Sequence, residues 1–245
     1  MEKKQKDCPS PENWFMTLAG GVQCWIDRPG LTHRFINRQT VRILMADGYT
    51  QESEWLRHHL TAFNRGAVWA DADWKNVHHY FNPATKRGLW RFHSAVEDFA
   101  AYFGRALKME ENGDSQQAAF YLGASAHLLQ DLCVPHHARS KLLDGHKEFE
   151  AWAACHRNEF KVSVGGLYYN GCDYVDWLYG NAEQAADLYD CVAGEAQGAD
   201  YLQAAKILLP SAQRSTAGLL ERFLQFSSQR TIKWGRFTGK VSIAG

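Results

Sequence analysis

The stretch ASAHLLQDLCVPHHARSKLLDGHKEFEAW, residues 124–152, holds four of the eleven histidines of the chain. Two imidazole–carboxylate pairs in it, His127 with Asp131 and His146 with Glu150, share a four-residue step. On a helix that step stacks both side chains on one side, one turn above the other. Imidazole and carboxylate are both zinc donors, so each pair can grip one cation. The first pair sits among Tyr121, Leu122, Ala126, Leu128 and Leu129, which marks a largely buried helix. A buried, unpaired aspartate costs several kcal/mol, and a bound dication removes that cost. Either pair alone could be a polar couple satisfied within the core. Two such pairs, with His136 and His137 between them, point instead to a common object.

These groups need elements to position them. Gln116–Cys133 reads as a helix that ends near Pro135, because the proline ring removes a donor and clashes with the preceding turn. Asp144 and Gly145 form a turn before a helix over Lys147–Cys155. Upstream, Thr32–Gly48 and Gln51–Asn64 carry helical apolar faces. Gly66–Thr85 reads as a long loop with short turns, followed by a helix over Leu89–Glu111. Asn112–Ser115 is a stop and a new cap. Val162–Gly171 is loop or extended chain. Tyr174–Leu188, Tyr201–Leu208 and Ala212–Phe226 complete the helices, with an irregular tail after Ile232. The expectation is a single all-α domain of about seven to nine helices.

Composition narrows the function. The chain has 245 residues, 45% hydrophobic and 22% charged, enough for one sizeable core. Lys plus Arg equals Asp plus Glu at 27 each. A net charge of zero argues against a nucleic-acid partner and against a polybasic membrane anchor. No apolar run is long enough for a transmembrane helix. The six cysteines include no CxxC pair, which disfavours a cysteine zinc finger; Cys172 and Cys191 are the first candidates for a disulfide. Trp14–Trp25 is a near-apolar run behind the basic start MEKKQK. Asp7, Pro9, Pro11 and Glu12 intrude ahead of it, and Thr17, the glycines and Gln23 dilute it, so residues 1–24 read as a leader with a degenerate export signal.

The pattern H-x3-D-x5-H followed by H-x3-E fits His127, Asp131, His137, His146 and Glu150. With the run AAFYLGASAHLLQDLCVPHHA around it, it resembles the core of bacterial zinc-dependent phospholipases C. Single-strand-specific fungal nucleases are distant relatives with the same all-α trizinc fold. CWIDRPGLTHRFI resembles the family's N-terminal Trp followed shortly by a His, at Trp25 and His33. GAVWADADWKNVHHYFNP resembles the stretch that carries an Asp and then a His before two aromatics, at Asp71 and His79. Asp73 competes with Asp71, and His78 with His79. The motifs cover Trp25 to Cys155.

The resemblance implies three zinc ions. One is held by His79, His127 and Asp131, and a second by His137, His146 and Glu150. The third is held by His33, bridging Asp131 and the free amine and carbonyl of Trp25. That last site needs residues 1–24 removed, and two zinc ions are expected otherwise. Asp71 would serve as general base or extra ligand, and His136 would face solvent or back a ligand. The implied substrate is a phospholipid or other phosphodiester. Glu150 and the short step from His137 to His146 favour the phospholipase over the nuclease. A non-catalytic, zinc-stabilised helical protein is the reading from another class. Phospholipases of the family have an aromatic directly after the base; here Ala72 stands there, and Trp69 and Trp74 are candidates to hold a quaternary ammonium. The family implies a secreted or periplasmic protein. The chain ends near the close of the helical domain, without room for the β-sandwich that toxin members use on membranes, so strong membrane attack is not expected.

Overall fold

A computed structural model describes residues 30–72, 77–89, 93–168 and 173–238, with side chains described as far as 229. The leader, Trp25, Asp73, Trp74 and Cys172 lie outside the described residues. α-Helices and short 3-10 helices, among them Arg157–Phe160 and Tyr189–Cys191, account for the regular structure among the described residues; the one β-bridge there, Asn82 with Arg87, closes a turn. The helices are α1 (Leu31–Ala46), α2 (Thr50–Ala70), α3 (Ala95–Glu111), α4 (Ser115–Asp131), α5 (Pro135–Ala138), α6 (His146–His156), α7 (Asp176–Asp187) and α8 (Gly198–Thr238). The expected all-α architecture is the one observed.

Helix α4 is the axis. It is buried almost without interruption from Leu122 to Asp131, packed between α2 and α3 and flanked by α7 and α8. Its start is capped by the Asp114 carboxylate, which accepts from the Gln117 amide at 3.0 Å. Gly113, at φ 81°, supplies the stop of α3 just before it. The α2–α4 crossing depends on two glycines. A Cβ on Gly66 would overlap the Phe120 carbonyl, and one on Gly123 would overlap the Phe63 carbonyl. The two backbones therefore touch, and this fixes α4 against the end of α2 that leads to Asp71.

Three boundaries differ from expectation. Helix α2 runs on to Ala70, because Gly66 is a close-packing residue here and not a breaker. Helix α3 begins only at Ala95, where Ser94 and Glu97 form a reciprocal capping box: the Ser94 amide donates to Glu97 at 2.6 Å. Helix α8 is continuous through Pro210 and on to Thr238, replacing two helices and an irregular tail. An interior proline costs roughly 3 kcal/mol. Burial of Ala204, Leu208, Ala212, Leu219, Leu220 and Phe223 along one helix offsets it.

Candidate metal centre

Side chains from five segments meet at one end of α4. His33 comes from α1, His79 from the chain between α2 and α3, and His127 and Asp131 from the last turns of α4. His137 comes from α5, and His146 and Glu150 from the first turns of α6. Pro135 starts α5 and so turns the chain just after α4, which brings His137 back beside Asp131. Gly145, at φ 87°, does the same for the entry into α6.

Asp131 is the hub, with a side chain only 7% exposed. Its Oδ2 lies 2.8 Å from His79 Nδ1, 3.2 Å from His127 Nε2 and 3.8 Å from His137 Nδ1. Its Oδ1 lies 3.3 Å from His33 Nε2. Beside this group Glu150 Oε1 lies 3.1 Å from His146 Nε2 and 3.6 Å from His137 Nε2. Donor atoms of Asp71, His79 and His127 fall within 4.8 Å of one another, as do those of His137, His146 and Glu150. The two groups are contiguous through His137.

Hydrogen bonds behind the rings decide which nitrogen faces inward. The Gln130 amide donates to Asn37 Oδ1 at 2.9 Å and to Thr216 Oγ1 at 3.1 Å, so its oxygen faces His33. His33 Nδ1 therefore carries the proton, donated to that oxygen at 2.8 Å, and Nε2 is a lone pair towards Asp131. His79 Nε2 donates to the Ala70 carbonyl at 3.0 Å, which leaves Nδ1 as a lone pair. His137 Nδ1 donates to the His79 carbonyl at 3.2 Å, leaving Nε2 for Glu150. Lone pairs thus converge on carboxylate oxygens. Such an arrangement repels itself unless a cation lies between, and it holds each ring in the tautomer a cation requires. The donor set fits zinc.

The carboxylates and His33 agree with this, whereas His146 is lowered by burial but raised more by its bond to Glu150, above its ordinary value. Burial pushes the Asp131 carboxyl up, but the surrounding imidazoles of His127, His137 and His79 reverse the shift, leaving it well below the usual carboxylate range. Burial raises Glu150 too, and the adjacent imidazoles of His137 and His146 pull it below its ordinary value. Burial and the neighbouring His127 lower His33, which favours the neutral ring. A metal site wants ionised carboxylates and neutral imidazoles.

The sites read from sequence fall into place unevenly. His33, His79, His127, Asp131, His137, His146 and Glu150 are brought together, and Asp71 stands at their edge on the C-terminal cap of α2. His78 turns away to Asp98, at 3.0 Å. His136 does not face solvent: it is fully buried, donates from Nε2 to the Asp144 carbonyl at 2.8 Å, and stacks on His146 at 4.8 Å. Trp69 does not line the cavity. Its indole packs on Phe120 and Tyr102, with ring centroids 5.4 and 5.6 Å away. It stands two positions before Asp71, which on a helix is roughly 200° of rotation and therefore the opposite face. Trp25 and Trp74 lie outside the described residues.

Sequence reading missed Gln130 and Tyr80. Gln130, 3% exposed, links His33 to Asn37 and Thr216; its only signal was an amide on an otherwise apolar helix face. Tyr80 stacks on His137, with centroids 4.7 Å apart and planes 13° off parallel. Its signal was its place directly after His79.

The centre opens into a cavity of about 890 Å³. Asp71, Tyr80 and the histidines line one wall; Phe149, Leu208 and Leu209 line another. A cluster of imidazoles and carboxylates suited to holding metal ions, set in an all-helical domain beside an apolar-walled cleft, points to the class of protein. Residues 32–197 match the family described as zinc dependent phospholipase C. The chain belongs to that family. It is 28% identical over 232 residues to a phospholipase C of Clostridium perfringens, covering 79% of this chain and 58% of that protein. It is 32% identical over 119 residues to a phospholipase C of Bacillus cereus, covering 45% of this chain and 42% of the relative. The alpha toxin from Clostridium absonum has the same fold, with a TM-score of 0.73 at 23% identity over 83% of this chain and 66% of the toxin. The chain thus spans less than two thirds of the length of these relatives.

Proposed function

We propose that the protein hydrolyses phosphodiesters in the manner of a phospholipase C, releasing a phosphorylated head group from a phospholipid. The observation that carries this reading is the buried Asp131 carboxylate facing His79, His127 and His33 on an open cleft, next to the His137–His146–Glu150 group. The family relationship and the relatives named phospholipase C support it.

His79, His127 and Asp131 would hold one zinc ion, and His137, His146 and Glu150 a second. His33 and Asp131 would hold a third, completed by the amine of Trp25 if the mature chain begins there in an exported protein. When bound, zinc supplies Lewis-acid chemistry: it acidifies water towards neutrality and offsets charge on the phosphate in an in-line displacement. Each group has three protein donors or fewer among the described residues, and catalytic sites characteristically keep a position open. The chain's own residues would supply the rest. Asp71, exposed at the rim of the cluster, would orient the attacking water and take its proton. Tyr80 holds the His137 ring flat against its own. Its hydroxyl is pushed up by burial and by the negative charge of Glu150, so it stays protonated. Phe149, Leu208 and Leu209 suit the apolar part of a lipid.

The test is turnover of p-nitrophenyl-phosphorylcholine against single-stranded DNA, each with and without a chelator. Chelator-sensitive release of p-nitrophenol with the DNA left intact is expected. Cleavage of the DNA alone would transfer the reading to the nuclease. Neither activity, with unfolding on chelation, would leave a structural zinc protein.

A further inference from the structure

The loop between α5 and α6 joins two segments of the centre, and its tip is apolar. Leu142 is 46% exposed and Leu143 is 76% exposed, the most exposed large hydrophobic side chain among the described residues. Both leucines stand at the mouth of the cavity that contains Asp131. The loop is tied down on both sides of the tip. The Lys141 amide donates to the His136 carbonyl at 2.9 Å. The Asp144 carbonyl accepts from His136 at 2.8 Å, while its carboxylate accepts from the Tyr189 hydroxyl at 2.7 Å and the Gly194 amide at 3.0 Å. A pinned loop therefore holds two leucines out in water, where each forfeits the gain of burial.

The surroundings favour a lipid surface as the partner. Lys141 and Lys147, both exposed, flank the leucines, and the carboxylate within the tip, Asp144, is engaged by Tyr189 and Gly194. Two side chains at a loop tip are far too small for a stable protein interface, which takes about 800 Å² from each partner. A bilayer accepts single apolar side chains with cations at the head-group level. From the leucines the apolar wall continues inward through Phe149 to Leu208 and Leu209.

We propose that Leu142 and Leu143 form a docking tip that enters the surface of a phospholipid bilayer, with Lys141 and Lys147 against lipid phosphates, so that a head group in that surface reaches the cleft above Asp131. The proposal rests on the phospholipase reading for its substrate. Its test is separate, because it reads binding.

The zinc-loaded protein is sedimented with vesicles of phosphatidylcholine and phosphatidylglycerol whose phosphodiesters are replaced by phosphonates that resist hydrolysis. The double variant Leu142→Ser, Leu143→Ser should partition about tenfold more weakly than the parent. Lys141→Glu should weaken partition by a smaller factor, and added salt should erase that difference. A second variant, Leu143→Trp, gives a gain of signal that does not depend on weakening anything. Brominated lipid should quench it more than the parent. Equal partition of parent and double variant, or no added quenching in Leu143→Trp, overturns the proposal. So does a dimer of the parent that the double variant abolishes, since a second copy would then be the partner. Vesicle binding without p-nitrophenyl-phosphorylcholine turnover keeps the docking tip and rejects the phospholipase; turnover without vesicle binding does the reverse.

Discussion

The Asp131 group and the Glu150 group lie side by side but are built differently. Asp131 draws its imidazoles from positions 33, 79 and 127, so it is assembled by long-range packing of α1, the chain between α2 and α3, and α4. Glu150 draws on positions 137 and 146, within one short stretch of chain. The Asp131 side chain is 7% exposed, and that of Glu150 is 33% exposed. A buried hub has no water to fall back on when a partner is removed, whereas an open one does. The two groups should therefore fail differently: the first takes the local packing with it, and the second loses chiefly its own cation.

The largest effect is expected from Asp131→Asn. The neutral amide cannot offset the charge of a bound cation, so zinc content and turnover should fall together, the latter by about 10³-fold. Loss of a buried ionic partner should also lower the unfolding midpoint by on the order of 10 °C. Elemental analysis, the chromogenic assay and a thermal melt check all three, and near-normal values would remove Asp131 from the centre. Glu150→Gln should be milder and separable. One zinc equivalent is lost, the remainder stays, turnover drops by about 10²-fold, and the melt moves by only a few degrees. If Glu150→Gln emptied every site, the two groups would be one unit and the contrast would fail.

Gly123→Ala attacks the first group from a distance. Its Cβ would press on the Phe63 carbonyl and push α4 off α2, which carries the Ala70 carbonyl behind His79. A cost of about 1–3 kcal/mol is expected, read as a lower melting point, with zinc binding at the Glu150 group retained. The smallest effect comes from a site far from both. Asp47 accepts from the amides of Gly165 and Gly166 and from the Tyr168 hydroxyl, at 2.8 to 2.9 Å. Burial raises its carboxyl, and these bonds more than offset that, so its pKa in the folded chain is below the ordinary value. A depressed folded pKa gives stability that is present above the unfolded pKa and lost as pH falls through the folded one. Asp47→Asn should therefore melt a few degrees below the parent at neutral pH, and the gap should close below about pH 4. A gap that persisted in acid would show that the carboxylate charge is not what anchors that loop.

Much of this was legible in the chain. Helical periodicity announced α1, α4 and α6, and the Asp114 cap and Pro135 bounded α4 closely. The four-residue steps of His127–Asp131 and His146–Glu150 are set by helix geometry, so they survive into the fold. The failures share a cause. Gly66 and Pro210 look like breakers locally, yet each lies inside a helix, because contacts from remote residues outweigh a local preference of a few kcal/mol. The start of α3 was misplaced because apolar residues continue ahead of Ser94, and only the reciprocal bonds with Glu97 mark where the helix begins.

By itself the sequence determined the helical class, the donor types and the pairing of imidazoles with carboxylates one turn apart, because these follow from residue identity and a fixed local geometry. Tertiary structure alone decided that His136 is buried, that Trp69 faces away from the cleft, and that Gln130 sets the His33 tautomer. Those outcomes depend on which faces of distant helices touch. No local rule contains that information, since it comes from contacts between distant segments, such as that of α2 with α4 through two glycines.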